Sequence, residues 1–274
     1  MKVISIVCDH KDGNNTLLDR LVVELSKHGP VGMIKQAGAN TISLPGVSDK
    51  CLDNGSETTI VVTPTNSVEI VKGMDLKKAI ERLSIEGLDF AVVEGFEDND
   101  LPKIAIGDVE ASNIVTRIGV NVDLEELLKI AMEQPEYVTL DHLIARIRRS
   151  PRAKEAGAIG TFTGIVRELA GGERTEALEF ESFDSIAKER ISTIEGDLKK
   201  RKGILEVLIY HKTGRIVAGE DIVFIVILSG HREELFPALK DAIERVKAEV
   251  PIWKKEHTLS GDFWVHDVQK DEKF

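Results

Sequence analysis

The stretch IVFIVILSGHR, residues 222–232, decides how the second half of the chain folds. Seven apolar residues run from Ile222 to Leu228 without alternation, which indicates a strand buried on both faces. A helix is predicted to begin just after His231 and Arg232. These two side chains therefore lie beside the free N–H groups of a helix start, where anions bind readily. For His231 alone, a helix cap or a core position is the alternative interpretation.

Around this stretch, the second half mixes strands and helices without regular alternation, which predicts an α+β domain. Apolar residues at spacings of three and four indicate helices, and β-rich runs indicate strands. The expected elements are helices at 187–198 and 236–250, strands at 158–166, 204–210 and 222–228, a flexible loop at 169–174 and a hairpin over 252–265.

The first half instead alternates strand and helix signals, which predicts βαβ units and a mainly parallel sheet. Residues 37–56 are rich in Gly, Ser, Asn and Asp and are expected to form turns. A linker at 133–136 separates the alternating pattern of the first half from the mixed pattern of the second, so we predict domains at 1–134 and 136–274. The expected elements are strands at 3–7, 31–35, 60–63 and 91–93 and helices at 17–25, 76–83 and 124–132.

Composition restricts the partners that this chain can have. Of 274 residues, 36 are basic and 47 acidic, which gives a formal net charge of -11. Nucleic-acid binding is disfavoured, because phosphate contacts require clustered Lys and Arg, although a local basic pocket for one small anion is compatible. Cys8 and Cys51 suggest neither a metal site nor a disulfide framework, so a reducing cytoplasmic location is expected. No apolar stretch approaches the roughly 20 residues that cross a membrane.

Residues 8–18, between the first strand and the first helix, occupy the position of a phosphate-binding P-loop. A working P-loop needs glycines, a lysine and a hydroxyl for magnesium. Gly13 is present, Asn14 and Asn15 stand where the lysine and first hydroxyl belong, and Thr16 keeps a hydroxyl one place later. The missing lysine disfavours nucleotide hydrolysis. Two interpretations remain: a helix-capping turn, or weak nucleotide or phosphate binding at the helix start.

This strand and loop, with residues 32–35 and 89–96, are similar to the adaptor protein of molybdopterin-guanine dinucleotide biosynthesis. The resemblance spans about residues 1–134 and implies a P-loop fold. It implies that Glu94, at the end of a buried strand, lies near magnesium and joins the loop residues as a nucleotide-binding candidate. A strand-end carboxylate that caps a turn is the alternative.

Further cationic side chains gather in the second half. Arg167 lies at the end of a predicted strand. Lys247 follows a core position of a predicted helix, so its side chain is expected at the edge of the core. Along the strand that follows, Lys254 and Glu256 share one face while Lys255 takes the other. Closely spaced ammonium groups disfavour each other's charge, so Lys247 and Lys254 can serve as acid, base or nucleophile. Ordinary solvated side chains are the alternative.

Taken together, these clusters resemble the large, catalytic subunit of molybdopterin synthase. The resemblance covers about residues 136–274 in unbroken order, and the combination is more specific than any single motif. The matching segments are 157–167, 219–224, 229–232, 250–256 and 261–265.

The resemblance implies a sulfurtransferase that converts cyclic pyranopterin monophosphate to molybdopterin. Sulfur would arrive as the C-terminal thiocarboxylate of a small ubiquitin-like carrier ending in Gly-Gly. A homodimer is implied, in which the partner subunit contributes residues to the site, and no metal or cofactor is required for the step. The implied catalytic residues are Lys247, Lys254 and Arg167. The implied substrate-binding residues are Ile165, Val166, Arg167, His231, Arg232, Lys247, Lys254, Lys255 and Glu256.

We interpret the chain as a fusion of two domains from one pathway. The alternatives are a non-catalytic scaffold that binds molybdopterin or the carrier, and a nucleotide-binding adaptor for guanylation of the cofactor.

Overall fold

The computed structural model describes residues 1–8, 14–37, 57–119, 122–170, 173–182, 184–258 and 261–265. It divides into two compact units, Met1–Tyr137 and Val138–Phe274. The predicted linker at 133–136 lies just before this division. Within the described ranges, no helix is both long and apolar enough to cross a bilayer.

The first unit is built on a five-stranded parallel sheet in the order β2-β5-β1-β6-β7. Every residue of β5 is buried, so this strand lies between apolar layers on both faces. The predicted parallel sheet is confirmed. The elements of this unit are β1 (Lys2–Cys8), α1 (Asn14–Ser26), β2 (Val31–Lys35), β3 (Thr58–Val62), β4 (Ser67–Val71), α2 (Leu76–Ile85), β5 (Phe90–Glu94), β6 (Lys103–Ile106), β7 (Ile114–Ile118) and α3 (Leu124–Glu133).

The apolar run at 60–63 does not join this sheet. It belongs to β3, which pairs with β4 in a separate antiparallel hairpin. Ile60 and Val62 are exposed, and no helix intervenes between the two strands to carry out a parallel crossover. Including this run among the alternating strands was therefore wrong.

The second unit has an α+β fold, as predicted, and it contains two antiparallel sheets. One sheet has the order β11-β13-β8 and the other β12-β10-β14-β15, with β9 paired to β10. The elements are α4 (Leu140–Arg148), a short 3-10 helix (Pro151–Glu155), β8 (Ala158–Ile165), β9 (Leu169–Ala170), β10 (Glu173–Ser182), α5 (Asp184–Lys199), β11 (Ile204–His211), β12 (Gly214–Val217), β13 (Asp221–Ser229), α6 (Arg232–Glu249), β14 (Ile252–Thr258) and β15 (Gly261–Val265).

The apolar run at 222–228 forms the central strand of the three-stranded sheet. Ile225 and Ile227 pack with α5 and α6, while Phe224, Val226 and Leu228 pack with α4 on the opposite face. Both faces of β13 are thus covered by helices, which explains why its sequence does not alternate. The strand delivers the chain to the start of α6.

The prediction of a flexible loop at 169–174 was wrong for residues 169, 170, 173 and 174, while residues 171 and 172 lie outside the described ranges. Leu169 and Ala170 form β9, which pairs antiparallel with Glu173 and Arg174 at the start of β10. Neither β10 nor β12 was predicted, because glutamates interrupt the apolar pattern of β10 and β12 has only four residues. β10 nevertheless provides one wall of the site described next.

Candidate functional site

A cavity of about 620 Å³ opens in the second unit between its two antiparallel sheets and the end of α6. This volume is within the range of small-molecule sites. Its walls are largely apolar, with a few cationic groups at the edge. The lining residues come from six elements and their flanks: Phe162, Thr163, Gly164, Ile165, Arg167, Thr175, Leu178, Phe180, His211, Ile222, Val223, Ile225, Ile243, Val246, Lys247, Val250, Ile252, Lys254 and Glu256.

Lys247 reaches the cavity from the last turn of α6. The preceding residue, Val246, is buried in the core, which fixes the rotation of the helix and leaves the Lys247 side chain at the core boundary. The helix ends at Glu249, and Pro251 prevents its continuation. The chain then turns directly into β14, which brings a second lysine to the same cavity.

Lys254 and Glu256 lie on the cavity face of β14, as the alternation predicts. In the sheet register they are opposite Phe180 and Leu178 of β10, which also line the cavity. A hydrogen bond from the Thr175 hydroxyl to Oε1 of Glu256 fixes that carboxylate against β10. One sheet face thus presents an ammonium and a carboxylate to the same space.

The opposite face of β14 carries an ionic cluster instead. Lys255 Nζ lies 3.2 Å from Asp262 Oδ2, and His257 lies 2.9 Å from Asp262 Oδ1 and 3.0 Å from Glu179 Oε2. Hydrogen bonds from His257 and Lys255 lower the pKa of Asp262 below its ordinary value. Lys255 is thereby held away from the cavity that Lys254 lines.

Arg167 follows β8 at the rim of the cavity. The preceding residue, Val166, is buried, and its backbone is fixed by hydrogen bonds to Glu220 O (2.9 Å) and from Gly219 N (2.9 Å). This anchoring positions the exposed Arg167 side chain beside the cavity while Val166 packs into the core beneath it.

Positive charge exceeds negative charge in this cavity. Within the described residues, the side chains of Arg167, Lys247 and Lys254 make no hydrogen bond or salt bridge, while Glu256 is the one carboxylate in the lining. On a chain of net charge -11, three cations without counter-ions indicate a site for an anion.

The structure brings together five of the predicted site residues and separates four. Ile165, Arg167, Lys247, Lys254 and Glu256 line the cavity. Val166 is buried in the core and Lys255 faces the ionic cluster. His231 and Arg232 lie at the start of α6, fifteen residues and about 22 Å of helix away from Lys247. Arg167, Lys247 and Lys254 therefore meet within one chain, whereas His231, Arg232 and Lys255 do not join them.

His211 is a cavity residue that sequence reasoning missed. It ends β11, its Nδ1 lies 2.7 Å from the carbonyl oxygen of Lys212, and its ring packs edge-on against Phe180 at 5.1 Å. Burial lowers the pKa of His211 below its ordinary 6.5, and the bond to the Lys212 carbonyl opposes this in part. The one available signal was its position at the end of a strand.

The predicted nucleotide-binding residues that the structure describes lie near the carboxyl edge of the parallel sheet of the first unit. Gly13 is outside the described residues, and Asn14, Asn15 and Thr16 form the first turn of α1. Glu94 ends β5, and its buried carboxylate lies 2.9 Å from Nζ of Lys35, the last residue of β2. The hydrogen bond to Glu94 raises the pKa of Lys35.

This arrangement does not fit the magnesium nucleotide that a P-loop fold implies. Mg²⁺ is held by carboxylate, hydroxyl and phosphate oxygens, whereas the Glu94 carboxylate is already compensated by the Lys35 ammonium. Asn14 supplies no charge for phosphates. No cluster of three or more His, Cys, Asp or Glu suited to a metal occurs among the residues that the structure describes.

Comparison with known proteins assigns both units. The sequence matches the model of the molybdopterin guanine dinucleotide synthesis protein B family over residues 3–145 and that of the MoaE protein family over residues 134–249. It is 37% identical over 262 residues to a probable molybdopterin synthase of Haloferax volcanii, covering 93% of this chain and 96% of that protein. The chain belongs to the molybdopterin synthase family.

Other molybdopterin synthases match about half of this chain or less. The catalytic subunit of Halalkalibacterium halodurans is 38% identical over 136 residues, which cover 50% of this chain and 83% of that protein. The molybdopterin synthase structure from Staphylococcus aureus is 36% identical, covers 41% of this chain and 82% of that chain, and gives a TM-score of 0.40. The chain is thus a molybdenum cofactor biosynthesis enzyme with an added N-terminal P-loop-type domain, and both predicted resemblances are confirmed.

Proposed function

We propose that the cavity of the second unit transfers sulfur from a carrier thiocarboxylate to cyclic pyranopterin monophosphate, which yields the dithiolene of molybdopterin. The observation that supports this most directly is a set of three cations, Arg167, Lys247 and Lys254, around a largely apolar cavity of about 620 Å³. None of the three forms a salt bridge with any residue that the structure describes. A phosphorylated pterin supplies both the missing negative charge and a flat ring for the apolar walls.

The side chains that line the cavity have different chemical roles. The planar guanidinium of Arg167 suits bidentate binding of a phosphate. Lys247 and Lys254 are placed to donate protons to the oxygen that leaves when the cyclic phosphate opens, which is general acid catalysis. Glu256, fixed by Thr175, lies on the same strand face as Lys254 and can accept a proton. Each of these roles is performed by a side chain of the protein.

The sulfur donor that fits this site is a small ubiquitin-like protein whose Gly-Gly tail bears the thiocarboxylate. A tail without side chains can enter a space that is too narrow for bulkier residues. We also propose a cytoplasmic location, where the buried Cys8 thiol would stay reduced.

A reconstitution tests the proposed function. The intact chain is incubated with cyclic pyranopterin monophosphate and a thiocarboxylated carrier, and dithiolene formation is followed. We expect product with the thiocarboxylate and none with a carrier that ends in an ordinary carboxylate. Binding of both components without any product would favour the non-catalytic scaffold instead.

We further propose a homodimer in which His231 and Arg232 of one subunit complete the cavity of the other. The support is their charge together with their separation of about 22 Å from Lys247 within one chain. In a symmetric dimer, residues at one end of a helix can face the partner's cavity.

Mixing two inactive variants tests this shared site. Lys247→Ala and Arg232→Ala are purified, combined under subunit exchange and assayed for dithiolene. Each mixed dimer would hold one intact shared site, so about a quarter of wild-type activity should return. If Arg232 serves its own chain, no mixed site is intact and activity stays at the level of the single variants.

A further inference from the structure

The proposed chemistry needs a proton acceptor, and few groups in the cavity can provide one. Lysine ammonium and arginine guanidinium groups donate protons but offer no lone pair. Glu256 already accepts the Thr175 hydroxyl through Oε1. The remaining ionisable side chain in the lining is His211, at the end of β11.

The surroundings of His211 fix which ring nitrogen carries the proton. A carbonyl oxygen can only accept a hydrogen bond, so the 2.7 Å contact with Lys212 O assigns the proton to Nδ1. Nε2 then carries the lone pair, and it makes no hydrogen bond to any residue that the structure describes. The edge-on contact with Phe180 holds the ring in this orientation. The imidazole therefore presents an unused acceptor in the cavity wall.

Sulfur transfer creates a demand for such an acceptor. When the thiocarboxylate sulfur attacks a carbon of the substrate, a C–S bond forms and the C–O bond from that carbon to the cyclic phosphate breaks. The electron pair leaves with the phosphate oxygen, which a lysine ammonium can protonate, and the product is a thioester that joins carrier and substrate. Release of the carrier requires water to attack the acyl carbon. The acyl C–S bond then breaks, a C–O bond forms, and the electron pair leaves with sulfur, which stays on the substrate as a thiolate. Water enters as a neutral molecule and must lose a proton as it attacks.

We propose that His211 is the general base for this water, with Nε2 taking one proton while the new carboxylic acid releases the second to solvent. This inference rests on the proposed function and adds a catalytic residue to it. The backbone carbonyl of Lys212 holds the proton on Nδ1, so that Nε2 can accept a proton. In many enzymes a second group bonded to a histidine fixes the tautomer in the same way.

The charges that share the cavity with His211 favour its neutral form. Arg167 from the end of β8, Lys247 from α6 and Lys254 from β14 are cationic, and Glu256 of β14 is the single carboxylate. The neighbouring Lys212 directs its ammonium over the ring of Phe224, 5.6 Å from its centre. Excess positive charge and burial both oppose protonation. The base should therefore stay active to a lower pH than an ordinary histidine.

Two substitutions separate the roles of the two ring nitrogens. In His211→Asn, the amide can still donate to the Lys212 carbonyl but offers nothing at the position of Nε2. In His211→Gln, an amide that is not a base lies near that position. His28→Asn, at an exposed histidine of the first unit, is the matched control. Each intact variant is assayed in single turnover with the cyclic precursor and thiocarboxylated carrier, and the carrier–substrate thioester is followed by mass spectrometry.

We expect the rate of thioester hydrolysis to fall at least about 100-fold in both His211 variants, so that the carrier–substrate thioester accumulates. In the wild type the pH–rate profile should have an acid limb below pH 6.5. This limb should be absent from both variants. Carrier affinity should be unchanged. A rate within about threefold of the wild type, or an acid limb that persists in a folded variant, overturns the assignment. If the wild type forms product and the variants match it, the His211 role alone fails. If the wild type forms none, the proposed function fails and this role with it.

Discussion

Lys247→Ala should reduce dithiolene formation by roughly 1,000-fold or more. The substitution removes one of three cations from a cavity in which Glu256 is the lone carboxylate among the lining residues. General acid catalysis contributes about 10²–10⁴-fold, and loss of a preorganised charge at the developing oxyanion adds to this. Turnover under saturating carrier and precursor is the measurement, with the affinity for the precursor determined separately.

The same helix provides the control for this variant. Lys240 is an exposed residue of α6 that does not line the cavity, so Lys240→Ala should retain wild-type turnover. Lys247 is also exposed, and its replacement should change the free energy of unfolding by no more than about 0.5 kcal/mol. Undiminished turnover in Lys247→Ala, with both variants equally stable to denaturant, would remove its catalytic role.

Lys254→Ala and Lys255→Ala form a second, sharper pair, because the two residues are adjacent on β14 and face opposite ways. Lys254→Ala should lower turnover by about 100-fold or more, since its ammonium lines the cavity. Lys255→Ala removes the contact of 3.2 Å with Asp262. A partly exposed ion pair of this kind contributes about 0.2–1 kcal/mol, so turnover should remain within about threefold of the wild type.

These two variants distinguish a local charge effect from a general one. Both lower the net positive charge of the same strand by one, so a site governed by long-range attraction alone would respond to both equally. In that case raised ionic strength would reduce the loss of turnover in both variants alike. Equal losses in the two variants would contradict the assignment of Lys254 to the cavity and of Lys255 to the opposite face.

Much of the fold follows from local patterns in the sequence. The unbroken apolar run of β13 and the helical stripe of α6 were recognisable because burial on both faces and burial on one face leave different periodicities. β10 was not recognisable. Its glutamates at 173, 176, 179 and 181 suggest a polar segment, and its place is set by pairing with β14, about eighty residues away. Such long-range pairing leaves no local signature.

In the site too, some features follow from local sequence patterns and others depend on contacts between distant segments. Alternation along β14 predicted that Lys254 and Glu256 point one way and Lys255 the other, because side-chain direction depends on local geometry alone. The position of His211 at the cavity depends instead on how β11 meets β10 and β13, which the sequence does not encode locally. Helix length also matters: eighteen residues in α6 place Arg232 and Lys247 at opposite ends.

The strict two-sidedness of β14 limits how this enzyme can evolve. Insertion or deletion of one residue before Lys254 would rotate the strand by half a turn relative to β10. Trp253, Lys255 and His257 would then face the cavity, and Asp262 and Glu179 would lose their histidine. Natural variation in length near this strand should therefore occur in steps of two, or be confined to the hairpin that follows Thr258.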